Sequence, residues 1–306
     1  MNIPVPQEFV QQLVNGLTLG SIYALIALGY TMVYGILELI NFAHGEIFMV
    51  GGFLGLLALS FFNLGGLGPF TLALCLLFAF IFAMSFSSAL GMLVERLAYR
   101  PLRHAPRLAP LITAVGVSIF LQNAVMLIAG SENKTFPQIF PQGAVTLGAS
   151  QVSYLQIFIM LSSVTLMACL TLFINRTRMG KAMKAVAQER RTSALMGINV
   201  NKIISLTFLI GSGLGAAAGI MVGMYYQRIN FMIGYLAGLK AFTAAVLGGI
   251  GNIPGAMFGG ILLGILESLG AAFITAEYKD VFAFVILIIV LIIKPSGIFG
   301  ENIASD

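Results

Sequence analysis

The sequence predicts an all-α polytopic membrane protein with about eight or nine transmembrane or re-entrant helices. Hydrophobic residues make up 59% of its 306 residues and charged residues only 9%, whereas about 25% of the residues of a soluble domain are charged. The mean hydropathy is +0.99, and the 35 glycines suit helices that pack closely in lipid. No long polar segment interrupts this pattern, so residues 1–306 are predicted to form a single transmembrane domain.

Uncharged stretches define the predicted spans in chain order. Residues 1–8 contain no Lys or Arg, so the first apolar run is expected to be a retained helix and not a signal peptide. The first half of the chain supplies 9–37, the two parts of 47–94 on either side of the Gly- and Pro-containing segment 63–69, 108–129 and 151–175. The second half supplies 203–226, the two parts of 241–266 on either side of segment 251–255, and 281–293, which is short unless preceding residues extend it. Either span beside segment 251–255 could be re-entrant.

The distribution of Lys and Arg predicts the orientation of the chain. Two loops are rich in cations and poor in acids, and are therefore expected to be cytoplasmic. The first contains Arg96, Arg100, Arg103 and Arg107, and the second contains Arg176, Arg178, Lys181, Lys184, Arg190 and Arg191. The loop 130–150 belongs on the opposite side, and nine crossings would place the N-terminus outside and Lys294 inside. The formal net charge of +5 therefore reflects orientation in a membrane and does not indicate nucleic-acid binding.

A stripe of glycines is predicted in span 203–226. It consists of Gly211, Gly215, Gly219 and Gly223. A spacing of four residues places them on one helix face, where a second helix can approach to backbone contact. Helix packing is the preferred interpretation, and a sliding surface for alternating access is the other.

The cation-rich segment 176–202 is predicted to be a cytoplasmic coupling loop. Lys181, Lys184, Gln188 and Arg191 are spaced by three and four residues and are expected to share a helix face, and Gly197 is placed to end that helix. The segment could be an anchor on the membrane surface or a coupling helix that docks on a cytoplasmic ATPase. We prefer the second, because Arg176 and Arg178 alone would serve as anchors. Its candidate residues are Gly180, Lys181, Lys184, Ala185, Ala187, Glu189, Arg191 and Gly197.

A polar motif with Asn41, His44 and Glu46 follows the first span. Ionisable groups beside a membrane core are costly and are therefore functional candidates, so the motif is predicted to lie near the transport pathway or its cytoplasmic gate. The alternative is a solvated surface loop in which Glu46 caps the next helix. A metal site is not expected, because His104 is the only other histidine and both cysteines lie in apolar runs elsewhere.

Segment 247–260 contains a second pathway or gate candidate, formed by Gly251, Asn252 and Pro254. Gly and Pro here predict a break between two apolar helices. Backbone groups freed at such a break can hydrogen-bond the carboxylate or ammonium group of a substrate. A tight turn with a small-residue packing face is the alternative.

Charges inside the predicted spans are scarce, and Lys240 and Glu267 are the clearest in the last third. A proton-coupled carrier normally needs a buried acid or histidine relay, so the energy source is expected to lie outside this chain. The Gly180-Lys181 pair lacks the other residues of a P-loop, and no catalytic arrangement is recognisable. The chain is therefore expected to be non-catalytic and free of cofactors, and a self-contained secondary carrier or channel for amino acids, amides or urea remains the alternative.

Three segments resemble the LivH-type permeases, the membrane subunits of bacterial branched-chain amino acid ABC importers. They are residues 15–46 with the motif Asn-Phe-Ala-His-Gly-Glu, residues 180–199, and residues 240–260 with the core Gly-Gly-Ile-Gly-Asn-Ile-Pro-Gly. The likeness extends over essentially the whole chain. It departs from the wider importer superfamily, in which a Glu-Ala-Ala loop has glycine four positions after its last alanine, because here Ala187 is followed at that spacing by Arg191.

The resemblance implies a permease subunit of the bacterial inner membrane that forms half of a translocation pathway for branched-chain or other hydrophobic amino acids. It also implies partners: a related second permease, two cytoplasmic ATPase subunits that bind ATP and Mg²⁺, an extracytoplasmic amino-acid-binding protein, and membrane lipid. Because the binding protein in such systems does much of the selection, the permease sequence does not specify which amino acid is carried.

Overall fold

The computed structural model describes residues 5–62, 68–103, 105–106, 108–141, 143–147, 150–294 and 296–300. Two residues considered above, His104 and Arg107, lie outside these ranges, as does most of the predicted break at 63–69.

Helices dominate the described part of the chain. They are α1 (Val5–Leu37), α2 (Ala43–Ser60), α3 (Pro69–Val94), α4 (Leu108–Ala129), α5 (Tyr154–Arg176), α6 (Arg178–Gln188), α7 (Arg190–Leu195), α8 (Val200–Tyr226), α9 (Ile233–Gly248), α10 (Ile253–Phe273) and α11 (Lys279–Ile293). A π-helical turn (Glu95–Tyr99) and a 3-10 turn (Arg100–Leu102) follow α3, and a second 3-10 turn (Ala276–Tyr278) precedes α11. Two short antiparallel strand pairs join β1 (Lys134–Thr135) to β4 (Arg228–Ile229) and β2 (Ala144–Leu147) to β3 (Ser150–Ser153).

Seven of the described helices are long and apolar enough to cross a membrane. They are α1, α2, α3 with its extension to Leu102, α4, α5, α8 and α10. The shorter helices α9 and α11, of 16 and 15 residues, complete the set of apolar helices. The prediction of an all-α polytopic membrane protein is therefore confirmed.

The two ends of the bundle carry different loops. At the end that we call inner, α6 contacts α1, and Arg103 donates a hydrogen bond to Asn201 beside the start of α8. At the outer end, Gln11 near the start of α1 donates a hydrogen bond to the backbone of Gln151 at 3.0 Å, and β1 pairs with β4. The two cation-rich loops thus share one end and the loop 130–150 lies at the other, in agreement with the predicted orientation.

Glycines bring the central helices into backbone contact. The most extensive contact in the bundle joins α1 and α10, where Gly16 and Gly20 face Gly264. A Cβ atom on Gly20 would lie 2.7 Å from the backbone of Ile261, so a larger residue would push the two helices apart. This is the small-residue packing that the glycine content predicts.

Helix α9 begins partway into the bundle. Gly234, in the first turn of α9, lies against Gly45 at the start of α2. The side chain of Ile229, in the strand that precedes α9, reaches Gly52 of α2. At 1.5 Å per residue a helix of 16 residues is about 24 Å long, less than the hydrocarbon core of about 30 Å. Helix α9 alone is therefore shorter than a full crossing. It is not re-entrant, because the chain reaches it from β4 at the outer end and leaves it beside Gly35, at the opposite end of α1, and α10 is long enough to span.

Candidate transport pathway and coupling surface

The polar motif after α1 lies inside the bundle. Asn41, His44 and Glu46 are 3%, 1% and 1% exposed, because α2 already begins at Ala43 and packs on α8 and α9. The alternative of a solvated surface loop is therefore wrong.

Asn41 and His44 point to different neighbours. The hydroxyl of Tyr99, in the π-helical turn, donates a hydrogen bond to Asn41 Oδ1 at 2.6 Å. The His44 ring packs edge-on against Tyr30 of α1, with 4.9 Å between the ring centroids, and lies against the glycines of α8 at Gly215. The motif is thus distributed over several helix interfaces.

Glu46 lies where α2 meets α4 and α9. The hydroxyl of Ser118 on α4 donates a hydrogen bond to Glu46 Oε1 at 3.2 Å. The other carboxylate oxygen, Oε2, faces the backbone of Gly234, where an added Cβ would lie 2.5 Å from it, and it has no hydrogen-bond partner in the described part of the chain. Glycine at position 234 therefore makes room for the carboxylate.

The break between α9 and α10 forms a turn at the inner end. Gly249 and Gly251 have φ angles of +106° and +91°, which glycine adopts without steric cost. Asn252 caps α10, since its Oδ1 accepts a hydrogen bond from the Gly255 N–H at 2.9 Å. Pro254 lies in the first turn of α10, where its missing N–H costs nothing.

The C-terminal segment 296–300 covers this turn. The backbone N–H of Ile298 donates to the carbonyl of Leu247 at 2.9 Å, and that of Phe299 donates to Gly248 at 3.1 Å. The Asn252 side chain donates to the Phe299 carbonyl at 3.0 Å. The chain itself therefore satisfies the backbone carbonyls at the end of α9.

An aromatic column connects His44 to the turn. Tyr30 contacts His44 and also Phe242 of α9, with 6.4 Å between the centroids of the tyrosine and phenylalanine rings, and Phe242 contacts Phe42 at 6.3 Å. A cavity of only about 10 Å³ separates Tyr30 and Phe242 from Ile250 in the turn. The two pathway candidates predicted from the sequence, the motif with His44 and the break at Gly251 to Pro254, thus lie at opposite ends of this packed column.

The coupling segment forms two short helices and not one. Glu189 separates α6 from α7, since its backbone is extended at φ −153° and its side chain accepts a hydrogen bond from the Arg191 N–H. The prediction that Arg191 shares a helix face with Lys181 and Lys184 is therefore wrong, because the chain changes direction at Glu189.

Helix α6 is amphipathic. It buries Gly180, Met183 and Val186, half-buries Ala185, and exposes Lys181, Lys184 and Ala187. At its start the Thr177 hydroxyl accepts a hydrogen bond from the Gly180 N–H at 3.0 Å, so the helix is capped directly after α5. The buried face holds α6 on the bundle and leaves Lys181 and Lys184 exposed at the inner end, where the Lys184 ammonium donates a hydrogen bond to Asn175 Oδ1 at 2.6 Å.

Gly197 follows α7 in a left-handed conformation with φ +82°. Its N–H donates to the Ala194 carbonyl at 3.1 Å, and the Ile198 N–H donates to Ser193 at 3.1 Å. These hydrogen bonds end α7 at Gly197, the residue predicted from the sequence to end the helix. Gly197 also begins the connection from the coupling segment to α8.

A cavity of about 360 Å³ opens at the inner end beside the junction of α6 and α7. Its lining comprises Leu37, Glu38, Leu39, Arg103, Ala105, Pro110 and residues 186–190. The coupling segment therefore borders the inner end of α1 and the loop after α3.

The glycines of α8 form a continuous contact surface. Their nearest neighbours are Gly29 for Gly211, His44 and Phe48 for Gly215, Phe48 and Gly52 for Gly219, and Phe136 for Gly223. The stripe thus faces α1, α2 and the outer loop in succession, through backbone contacts at Gly211 and Gly219 and through the rings of His44 and Phe136 at Gly215 and Gly223.

A buried ion pair at the inner end was missed by sequence reasoning. Glu95, which is fully buried, pairs with Arg103 and accepts a hydrogen bond from the Ser205 hydroxyl at 2.6 Å. Glu95 is the single acid of the first cation-rich loop, and that isolation was the one available signal.

A second ion cluster, which we call the outer ion cluster, consists of Lys240, Glu267 and Asp280. The Lys240 ammonium lies 2.6 Å from Glu267 Oε1 and 2.6 Å from Asp280 Oδ1, and 3.5 Å from the Tyr23 hydroxyl. It links α9 to α1, α10 and α11. Sequence reasoning singled out Lys240 and Glu267 but neither their pairing nor Asp280.

These features define a multi-pass membrane protein with a short helix, α9, that begins partway into the bundle, and an amphipathic, cation-bearing segment at its inner end. A family model described as "Branched-chain amino acid transport system / permease component" matches residues 12–291, and the chain belongs to that permease family. It is therefore a membrane permease component.

Individual relatives agree with this assignment. The chain is 51% identical over 303 residues to the high-affinity branched-chain amino acid transport system permease protein BraD of Pseudomonas aeruginosa, covering 98% of each chain. It is 47% identical over 298 residues to the corresponding permease protein LivH of Escherichia coli K12, covering 96% of each. A probable branched-chain amino acid permease of Methanocaldococcus jannaschii is 29% identical, with 92% of this chain and 90% of the relative covered. No solved structure gives a significant match.

Proposed function

We propose that this permease forms half of the translocation pathway of an ATP-driven importer for branched-chain or other hydrophobic amino acids. The observation that carries the proposal is the full-length likeness to permeases named for high-affinity branched-chain amino acid transport. The chain supplies membrane helices and a coupling surface and performs no bond chemistry.

Two cytoplasmic ATPase subunits, each binding ATP and Mg²⁺, supply the energy. They dock on the coupling segment, where Gly180 and Val186 hold α6 to the bundle and Lys181 and Lys184 face outward. ATPase closure pushes α6 and α7, and the movement reaches α1 through the direct contact between α6 and α1. Glu189 is the joint between the two short helices, and Gly197 is the joint to α8.

The pathway runs along the face formed by the start of α2 and by α9. The half-buried aromatic rings Phe42 and Phe242 lie there, next to His44 and Tyr30. The turn at 249–252 closes the inner end of this column, so we assign it to the cytoplasmic gate.

Because this chain is proposed to form only half of the pathway, the transporter needs further partners. A related second permease completes it, and an extracytoplasmic amino-acid-binding protein delivers the substrate at the outer end. The complex lies in the bacterial inner membrane, where lipid covers the exposed apolar faces of α3, α4 and α5.

Affinity purification in mild detergent, followed by mass spectrometry and an ATPase assay, tests the assembly. We expect two ATPase subunits and a second permease, with hydrolysis stimulated by a binding protein loaded with leucine. Recovery of the chain alone, with ion-driven transport in proteoliposomes, would instead support a secondary carrier.

Replacing Gly197 with Val tests the coupling role. Valine disfavours the left-handed backbone at φ +82°, although an added Cβ meets no atom within 4 Å, so assembly should persist while transport falls. The matched control is Gly116→Val, which is also in open space but lies in the ordinary helix α4. Normal transport by the Gly197→Val complex would contradict the coupling role.

A further inference from the structure

The three carboxylates buried in the described part of the chain differ in what neutralises them. Glu95 pairs with Arg103 and Glu267 pairs with Lys240. Glu46, at 1% exposure, forms no ion pair with any described residue. A buried carboxylate without a cation is costly, so the position requires another explanation.

Two neighbours of Glu46 offset part of the cost of burying its charge without providing a cation. Ser118 donates one hydrogen bond to Oε1, and Gly234, in the first turn of α9, lies against Oε2. The N-terminal turn of a helix carries a partial positive charge, so α9 stabilises a negative charge at this place. Oε2 nevertheless has no donor, which leaves one acceptor available to a ligand.

The position of Glu46 connects it to transport. It is two residues from His44, at the start of α2, on the face where α9 enters the bundle. Helix α4 carries Ser118, and its main packing partners are α2 and the π-helical turn. Movement of α4 or of the first turn of α9 would therefore open the site.

We propose that Glu46 binds the ammonium group of the amino-acid substrate as it crosses the membrane. This inference rests on the function proposed above. An amino acid enters the membrane with a cationic ammonium group that needs an acceptor there, and a carboxylate provides the strongest hydrogen bond to it. Because the structure buries Glu46 completely, substrate reaches it only in a conformation in which the interface of α2, α4 and α9 is open.

Glu46→Gln tests the proposal, because it keeps the size and the hydrogen bond of the side chain and removes only the charge. The complete transporter is reconstituted in proteoliposomes with saturating leucine-loaded binding protein, and both leucine uptake and ATP hydrolysis are measured. We expect leucine carried per ATP to fall about tenfold or more, the effect of losing one charge-assisted hydrogen bond, while stimulated hydrolysis stays within about twofold.

Three further variants sharpen the result. Glu46→Asp keeps the charge and should recover part of the uptake, and Ser118→Ala keeps the carboxylate and should cost about threefold or less, as for one neutral hydrogen bond. Glu132→Gln removes an exposed acid in the outer loop and should transport like the wild type.

Each outcome bears on a different claim. Wild-type leucine per ATP in Glu46→Gln would overturn the inference and identify Glu46 as a protonated structural residue. Parallel loss of assembly, hydrolysis and uptake would also overturn it, in favour of a packing role. A wild-type complex that takes up no leucine would reject the proposed function itself, before any variant is compared.

Discussion

The outer ion cluster and the Glu46 site both place a carboxylate inside the helix bundle, but they solve the problem of its charge differently. Glu267 lies 2.6 Å from the Lys240 ammonium, which also holds Asp280. Glu46 has one hydroxyl donor and no cation among the described residues. The first arrangement joins helices of this chain to one another, and the second leaves an acceptor free.

The difference indicates which charge is structural and which is available for a ligand. A paired buried charge cannot lose its partner without a large cost. Neutralising an unpaired buried charge breaks no ion pair and removes the cost of burying that charge, so its removal should be visible in transport more than in stability. Four substitutions test this contrast, and we take them in order of their expected effect on the free energy of unfolding.

Lys240→Met should have the largest effect. It leaves Glu267, at 2% exposure, without a cation and should destabilise the chain by about 3–5 kcal/mol. The measurement is thermal unfolding in detergent, followed by fluorescence-detected size exclusion. The double variant Lys240→Met/Glu267→Gln should recover much of the loss, and a double variant no better than Lys240→Met would contradict the pairing.

Arg103→Met should have the next largest effect. Glu95 would keep its hydrogen bond from Ser205 and lose only the guanidinium, for a cost of about 1.5–3 kcal/mol. The same unfolding assay applies, with exposed Arg96→Met as the matched control. Equal stability of the two variants would show that the Glu95 pair contributes nothing.

Asp280→Asn should have a small effect. The side chain of Asp280 is 37% exposed, and Lys240 would still be paired with Glu267 in this variant. We therefore expect the free energy of unfolding to fall by about 1 kcal/mol or less. A loss as large as that from Lys240→Met would mean that Asp280, and not Glu267, is the principal partner of Lys240.

Glu46→Gln should have the smallest effect on stability, about 0.5 kcal/mol or less, because no ion pair is lost and the amide oxygen can still accept the hydrogen bond from Ser118. The same variant is expected to lower leucine transport, so stability and function separate at this position. A loss of several kcal/mol would show that Glu46 is structural, like Glu267.

The sequence predicted the helices well because the signal is local. Residues 108–129 were expected to span the membrane, and α4 occupies Leu108–Ala129. The final span was expected to need preceding residues, and α11 does begin earlier, at Lys279. The glycine at 197 and the break at 251–255 were also recognised, since the backbone requirements of Gly and Pro act on their immediate neighbours.

Predictions that depended on spatial neighbours were less successful. A helical spacing across 181–191 was expected to continue without interruption, but the extended backbone at Glu189 separates α6 from α7. His44 and Glu46 are adjacent in one motif, yet they face opposite sides of α2, towards Tyr30 and Ser118. Hydropathy cannot reveal such differences, because both residues lie in the same apolar surroundings.

The sequence by itself determined the membrane class, the order of the spans, which loops share an end of the bundle, and the family, because hydropathy, charge bias and motif order are properties of contiguous residues. Only the tertiary structure decided which charges meet. Lys240 and Glu267 lie 27 residues apart, and Asn41 and Tyr99 lie 58 apart. Their contacts depend on which helices become neighbours, and that depends on glycines that allow close approach across interfaces far apart in the chain.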